Sequence, residues 1–215
     1  MIFDCDGVLV DTEPIANRVL AEMITAEGLP TSTAESMARY MGRSMPAVVE
    51  MVEEALGRSL PRSFIDEYHR RIFAAFEQEL AAVPGAADAV DALTAHGLAV
   101  CVASNGAPAK MRHTLGLTGL LARFEGRLFS AAEVARGKPF PDLFLHAADR
   151  MGAAVADCVV VEDSPAGVAA ARAAGMRAIG LVGPLGAQPL LDAGAEPINS
   201  MADFPAALLG ASKGA

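Results

Sequence analysis

The chain has 215 residues, 53% of them hydrophobic, and a formal net charge of -9. That length and apolar content suit one large domain, or one domain with an insert, while the acidic balance without a basic run excludes nucleic acid and anionic membrane as main partners. No apolar run reaches the ~18 residues of a membrane span, Asp4 and Asp6 interrupt any signal-peptide core, and the three scattered cysteines are in no ligand spacing, so a cytoplasmic protein with reduced thiols is expected.

In chain order, "MIF" at 1–3 reads as a short strand that runs into the acidic stretch "DCDGVLVD" at 4–11. A buried strand ordinarily runs ~5–6 residues, so the native start is expected upstream of Met1. Four helical stretches follow without a strand between them: "PIANRVLAEMITAEGL", "ESMARYM", "MPAVVEMVEEALG" and "RSFIDEYHRRIFAAFEQEL". "VPG" at 83–85 then opens an alternating pattern. Apolar runs at 98–104, 127–130, 158–162 and 177–182 read as strands, and the stretches near 86–96, 107–116, 142–151 and 165–174 as helices. The tail "GASKGA" is expected to be loose. Buried runs alternating with helices predict an α/β fold with a parallel sheet covered on both faces. The core is predicted at 1–13 and 84–215, with an all-α insert at 14–83.

Ligands of such sheets gather at the carboxyl ends of the strands. Four polar clusters stand at or just after those ends: "DCDG" at 4–7, "ASN" at 103–105, "GKPFPD" at 137–142 and "VEDSPAG" at 161–167. Converging on one edge, they call for a common ligand. Asp4, Asp6 and Asp11 crowd like charge that something must compensate. In an extended chain Asp4 and Asp6 face the same way and Cys5 the other, so Cys5 reads as a packing residue. A calcium loop would need glycine and glutamate where Leu9 and Ile15 stand. Simpler parts are open as well: Ser104 and Asn105 as caps of the helix near Ala107, Glu162 and Asp163 as complements to the positive end of the helix near Pro165, and Asp11 with Glu13 at the start of the first insert helix.

The ordered set "DCDGVLVD", "SN", "GKPFPD" and "EDSPAG", with a helical insert after the first motif, resembles the haloacid dehalogenase superfamily of phosphohydrolases over nearly the whole chain. The resemblance implies a Rossmann-like core with a helical cap. It also implies Mg²⁺-dependent hydrolysis of a small phosphorylated metabolite, a sugar phosphate in the branch most similar. Asp4 matches the nucleophile that forms an aspartyl-phosphate, and Asp6 the general acid and base. Mg²⁺ would sit on the carboxylates of Asp4 and Asp163 and the backbone carbonyl of Asp6, with Glu162 a supporting or alternative ligand. Ser104, Asn105 and the amides around Asp6 and Gly7 would cradle the phosphate, with Lys138 offsetting its charge and that of Asp4. "MGRS" at 41–44, with Arg43 and Ser44, is the expected specificity loop, and cap cations such as Arg43, then Arg70 or Lys110, would add positive charge. A β-phosphoglucomutase-like isomerase shares these motifs and is the alternative. The histidine of its first cap helix is Ala16 here, and Arg43 precedes Ser44 where those mutases place the arginine after it, so hydrolysis is favoured. A monomer or weak dimer, without nucleic acid or membrane, is expected.

Overall fold

β1 (Ile2–Phe3) is two residues long, and after it the chain leaves for a separate helical unit before the sheet continues. The computed structural model describes residues 1–205 and 208, so the tail "GASKGA" lies outside the described residues. Two compact units result: Met1–Val10 with Ala81–Ala215, and Asp11–Leu80. The helical unit thus starts and ends three residues before the 14–83 read from the sequence. Backbone pairing accounts for the second limit, since Val10 bridges Ala82 and the Val83 amide donates to the Leu9 carbonyl (2.9 Å), which ties the returning chain to the first unit.

The helical unit contains α1 (Glu13–Ala26), α2 (Thr33–Tyr40), α3 (Met45–Leu56) and α4 (Phe64–Glu79). Along α4, Phe64, Tyr68, Ile72 and Phe76 recur every fourth residue, which makes one buried stripe. They share an apolar cluster with Ile15, Val19 and Met23 of α1 and Val48 and Val52 of α3. Local signals set the ends: a Ser32–Glu35 capping box opens α2, Ser44 and Pro46 open α3, and Gly57 closes it in the left-handed conformation. Asp11 does not cap α1, because Thr12 holds the N-cap position and makes no side-chain cap there.

The other unit holds α5 (Ala86–Ala95), β2 (Cys101–Ser104), α6 (Pro108–Leu117), β3 (Leu128–Ser130), α7 (Asp142–Arg150), β4 (Val159–Glu162), α8 (Pro165–Ala173), β5 (Arg177–Leu181), α9 (Gln188–Asp192) and β6 (Glu196–Ile198). All strands are parallel, in the order β3-β2-β1-β4-β5-β6. β2 is buried at every position, as a strand covered on both faces must be. β6 escaped the sequence reading because it is an edge strand with Pro197 at its middle and two exposed residues, which erases the apolar signature. No described helix is long and apolar enough to cross a membrane.

Candidate functional site

The strand order reverses between β1 and β4, and at such a switch point the loops beyond the carboxyl ends diverge and leave a crevice. Asp4 follows β1, its amide donating to the Val161 carbonyl of β4 (2.9 Å). Glu162 ends β4, and Asp163 comes next. One carboxylate oxygen from each of Asp4, Glu162 and Asp163 lies within 4.8 Å of the others.

A lysine compensates this crowding. Lys138, in the loop between β3 and α7, places Nζ 2.5 Å from both Asp4 Oδ1 and Glu162 Oε1, with its side chain only 5% exposed. The Nζ also lies 5.0 Å from the centroid of the Phe144 ring, within cation–π range. Burial pushes the Asp4 carboxyl up to about 7; Lys138 opposes the rise, and Glu162 and Asp6 add to it. Burial works against the Lys138 charge too, but the Asp4 and Glu162 carboxylates outweigh it and raise its pKa.

Glu162 is fully engaged. Its Oε2 accepts from the Asp163 amide (3.1 Å), the Ser164 amide (3.0 Å) and the Ser164 hydroxyl (2.8 Å). The same Ser164 oxygen accepts from the Gly167 amide (3.0 Å) and so caps α8. Glu162 therefore anchors Lys138 to the start of α8, while remaining part of the acidic trio.

The first motif folds back on itself: the Leu9 and Val10 amides both donate to the Cys5 carbonyl (3.0 Å each), and the Gly7 amide donates to the Val10 carbonyl (2.8 Å). The Gly7 N–H, expected with its neighbours to cradle phosphate, donates to this turn. Gly7 serves differently. It holds φ +77°, and the Asp163 carboxylate occupies the space a β-carbon would need. Cys5 is buried and within 3.9 Å of Thr114 Oγ1, and burial raises its thiol pKa well above the ordinary value, as befits a packing residue.

Two further assignments change. Lys110 is not a cap cation; it sits in the first turn of α6, where its Nζ donates to Asp6 Oδ2 (2.7 Å). A lysine there opposes the helix dipole unless an anion pairs with it, and that was the readable signal. Asn105 turns its amide to the backbone of Lys138, accepting from its N–H (2.9 Å) and donating to its C=O (3.2 Å). Neither Ser104 nor Asn105 caps α6, which begins after Ala107 without a side-chain cap. The Ser104 oxygen accepts from the Gly106 amide (3.0 Å), and a β-carbon on Gly106 would lie 3.3 Å from that oxygen and 3.9 Å from Asp6 Oδ2.

Arg43, Ser44 and Arg70 belong to the helical unit. Arg43 Nε donates to the Arg39 carbonyl (2.9 Å), Ser44 Oγ accepts from the Ala47 amide (3.5 Å), and Arg70 is paired with Glu67 (2.7 Å). In the sheet unit, Lys110 pairs with Asp6 and Lys138 with Asp4 and Glu162, and the carboxylates of Asp4, Glu162 and Asp163 converge on one place. Three hard carboxylate oxygens converging in this way fit a small divalent cation such as Mg²⁺.

Comparison with known proteins follows this geometry. Residues 1–175 match a haloacid dehalogenase-like hydrolase family. The chain is 35% identical over 177 residues to 6-phosphogluconate phosphatase of Escherichia coli K12, covering 82% of this chain and 79% of that one. It superimposes on a conserved haloacid dehalogenase-like protein of unknown function from Agrobacterium tumefaciens with a TM-score of 0.90 and 36% identity, over 99% of this chain and 98% of that one. A HAD family hydrolase from Deinococcus radiodurans R1, crystallised with bound phosphate and sodium, gives 0.85 and 32% over 98% and 95%.

Proposed function

The chain belongs to the haloacid dehalogenase-like hydrolases, and from that membership we propose that it is a Mg²⁺-dependent phosphatase of small phosphorylated metabolites, most of all sugar phosphates. The observation that carries the reading is the acidic trio of Asp4, Glu162 and Asp163, two of which, Asp4 and Glu162, are bridged by the buried ammonium of Lys138. Phosphate binding in the Deinococcus relative and the sugar-phosphate substrate in the name of the Escherichia coli relative support it. The enzyme is proposed to be cytoplasmic, which its free, buried cysteines suit, and to act as a monomer or weak dimer.

In this mechanism Mg²⁺ would be held by the Asp4 and Asp163 carboxylates and the Asp6 carbonyl, with Glu162 in support, and would supply charge neutralisation to the phosphoryl oxygens. The Asp4 carboxylate forms a bond to phosphorus as the ester P–O bond breaks, and the leaving oxygen keeps the electron pair and takes a proton from Asp6. Asp6 then accepts a proton from water as the water oxygen bonds to phosphorus, and the Asp4–phosphorus bond breaks to release inorganic phosphate. Lys138 holds Asp4 in place and offsets charge through both steps. The Ser104 hydroxyl donates to a phosphoryl oxygen. Arg43 and Ser44 remain the proposed selectors of substrate.

The test is incubation with p-nitrophenyl phosphate, 6-phosphogluconate and β-glucose 1-phosphate, with Mg²⁺ or with EDTA. Phosphate release that needs Mg²⁺ and is lost in Asp4→Asn is expected. Isomerisation of β-glucose 1-phosphate without phosphate release would establish the mutase instead, and no turnover of any substrate would overturn the reading.

A further inference from the structure

Asn105 uses both ends of its amide on one residue, accepting from the Lys138 amide (2.9 Å) and donating to the Lys138 carbonyl (3.2 Å) across 33 positions of chain. Space for this is made by Gly137, where a β-carbon would stand 2.5 Å from Asn105 Oδ1. The turn that carries Asn105 is tied to the end of β3 by the Ser130 hydroxyl, which donates to the Gly106 carbonyl (2.8 Å). On the far side of Lys138 the same loop is braced again: the Arg136 guanidinium stacks 4.3 Å over Phe140 and forks onto Asp142 (2.9 and 3.2 Å).

A lysine stem has many rotamers, and an ammonium that must meet Asp4 and Glu162 together tolerates little drift of its Cα. We infer that Asn105 is a positioning residue for Lys138, clamping its backbone so that the ammonium reaches both carboxylates, and is not itself a ligand of the phosphoryl group. The catalytic consequence rests on the phosphatase reading; the clamp itself does not. An amide suits the task because one backbone residue offers one donor and one acceptor. Aspartate accepts from the Lys138 N–H but cannot donate to its carbonyl when ionised. Gly137→Ala is an independent probe, since it displaces the Asn105 amide while leaving Asn105 in place.

The experiment compares wild type, Asn105→Ala, Asn105→Asp, Gly137→Ala, Lys138→Met and the Asn105→Ala/Lys138→Met double variant, each checked as folded by thermal unfolding. Readouts are kcat and KM for p-nitrophenyl phosphate, Ki for inorganic phosphate, and hydrogen exchange of the Lys138 amide. Asn105→Ala and Gly137→Ala are expected to lower kcat about 10- to 100-fold, as small misplacements of catalytic groups do. Asn105→Asp should fall between them and wild type, and the Lys138 amide should exchange faster in both variants that break the clamp. In the Lys138→Met background, Asn105→Ala should cause no further loss, because a residue acting only through Lys138 has nothing left to act on. A further fall in that background, or a Ki for phosphate raised beyond its value in Lys138→Met, would make Asn105 a phosphate ligand and overturn the inference. Inert wild type would overturn the phosphatase reading alone. The exchange measurement still decides the clamp, and unchanged protection in Asn105→Ala sinks it.

Discussion

Gly7 shows how much one missing side chain permits. Its φ of +77° and the Asp163 carboxylate packed against it both exclude a β-carbon, whereas Gly28, at φ +100°, has nothing within 4 Å of where one would be. Gly28→Ala is therefore expected to cost about 1 kcal/mol, from backbone strain alone, and to leave turnover intact. Gly7→Ala should cost about 2–3 kcal/mol, because overlap with the half-buried Asp163 carboxylate adds to that strain, and should weaken Mg²⁺ binding by displacing Asp163. Urea unfolding and metal titration of the two variants separate these contributions. Lys110 is the second residue whose part depends on a partner remote in sequence. Lys110→Met leaves Asp6 without its 2.7 Å ammonium partner. On the acid–base part proposed for Asp6, a fall in kcat of about tenfold with little change in KM is expected, a fraction of what general acid–base catalysis contributes, with Lys110→Arg recovering part of it. Steady-state kinetics on p-nitrophenyl phosphate checks both.

Among the elements, the edge strand β6 has the least apolar support and relies on its neighbour. Arg177 of β5 pairs with Glu196 of β6 at 2.6 and 2.8 Å, and hydrogen bonding to Arg177 holds the Glu196 carboxyl below its ordinary value of 4.5. Because the folded pKa is the lower one, the pair's contribution is present above pH 4.5 and is lost as pH falls through the folded value. Both side chains are over a third exposed, 39% and 58%, so solvent screening leaves at most about 1 kcal/mol. Glu196→Gln is thus expected to lower the unfolding midpoint slightly at pH 7 and not at all near pH 3, and less in high salt than in low. Equal effects at both pH values would remove the electrostatic explanation. The central strands need no such help: β1 is two residues long, yet Ile2 and Phe3 register with Cys101 and Val102 on one side and with Val160 and Val161 on the other.

At the scale of the whole molecule, the sheet brings Asp4, near the start of the chain, to within 4.8 Å of Glu162 and Asp163 from its second half. A ligand bound by the folded chain alone stabilises it by mass action, so Mg²⁺ at about a hundred times its dissociation constant should add roughly 2.7 kcal/mol. Calorimetric unfolding with Mg²⁺ and with EDTA measures this, and Asp163→Asn should reduce the difference sharply; an equal shift in that variant would place the ion elsewhere. Much of this architecture was legible beforehand. The apolar runs and the alternation of strand and helix were readable because hydrophobic periodicity is a local property, and the four motifs because their polar residues stand in order at or just after the strand ends. What stayed hidden was partnership. That Lys138, expected beside Asp4, also takes Glu162, that Asn105 grips Lys138, that Lys110 meets Asp6 and that Asp163 fills the space beside Gly7 each depend on which strands become neighbours and in what register. The sequence by itself determined which polar groups stand after the strands and which family they resemble; only the assembled sheet decided which of them touch, because hydrogen bonds and ion pairs depend on ångström distances between residues that are far apart along the chain.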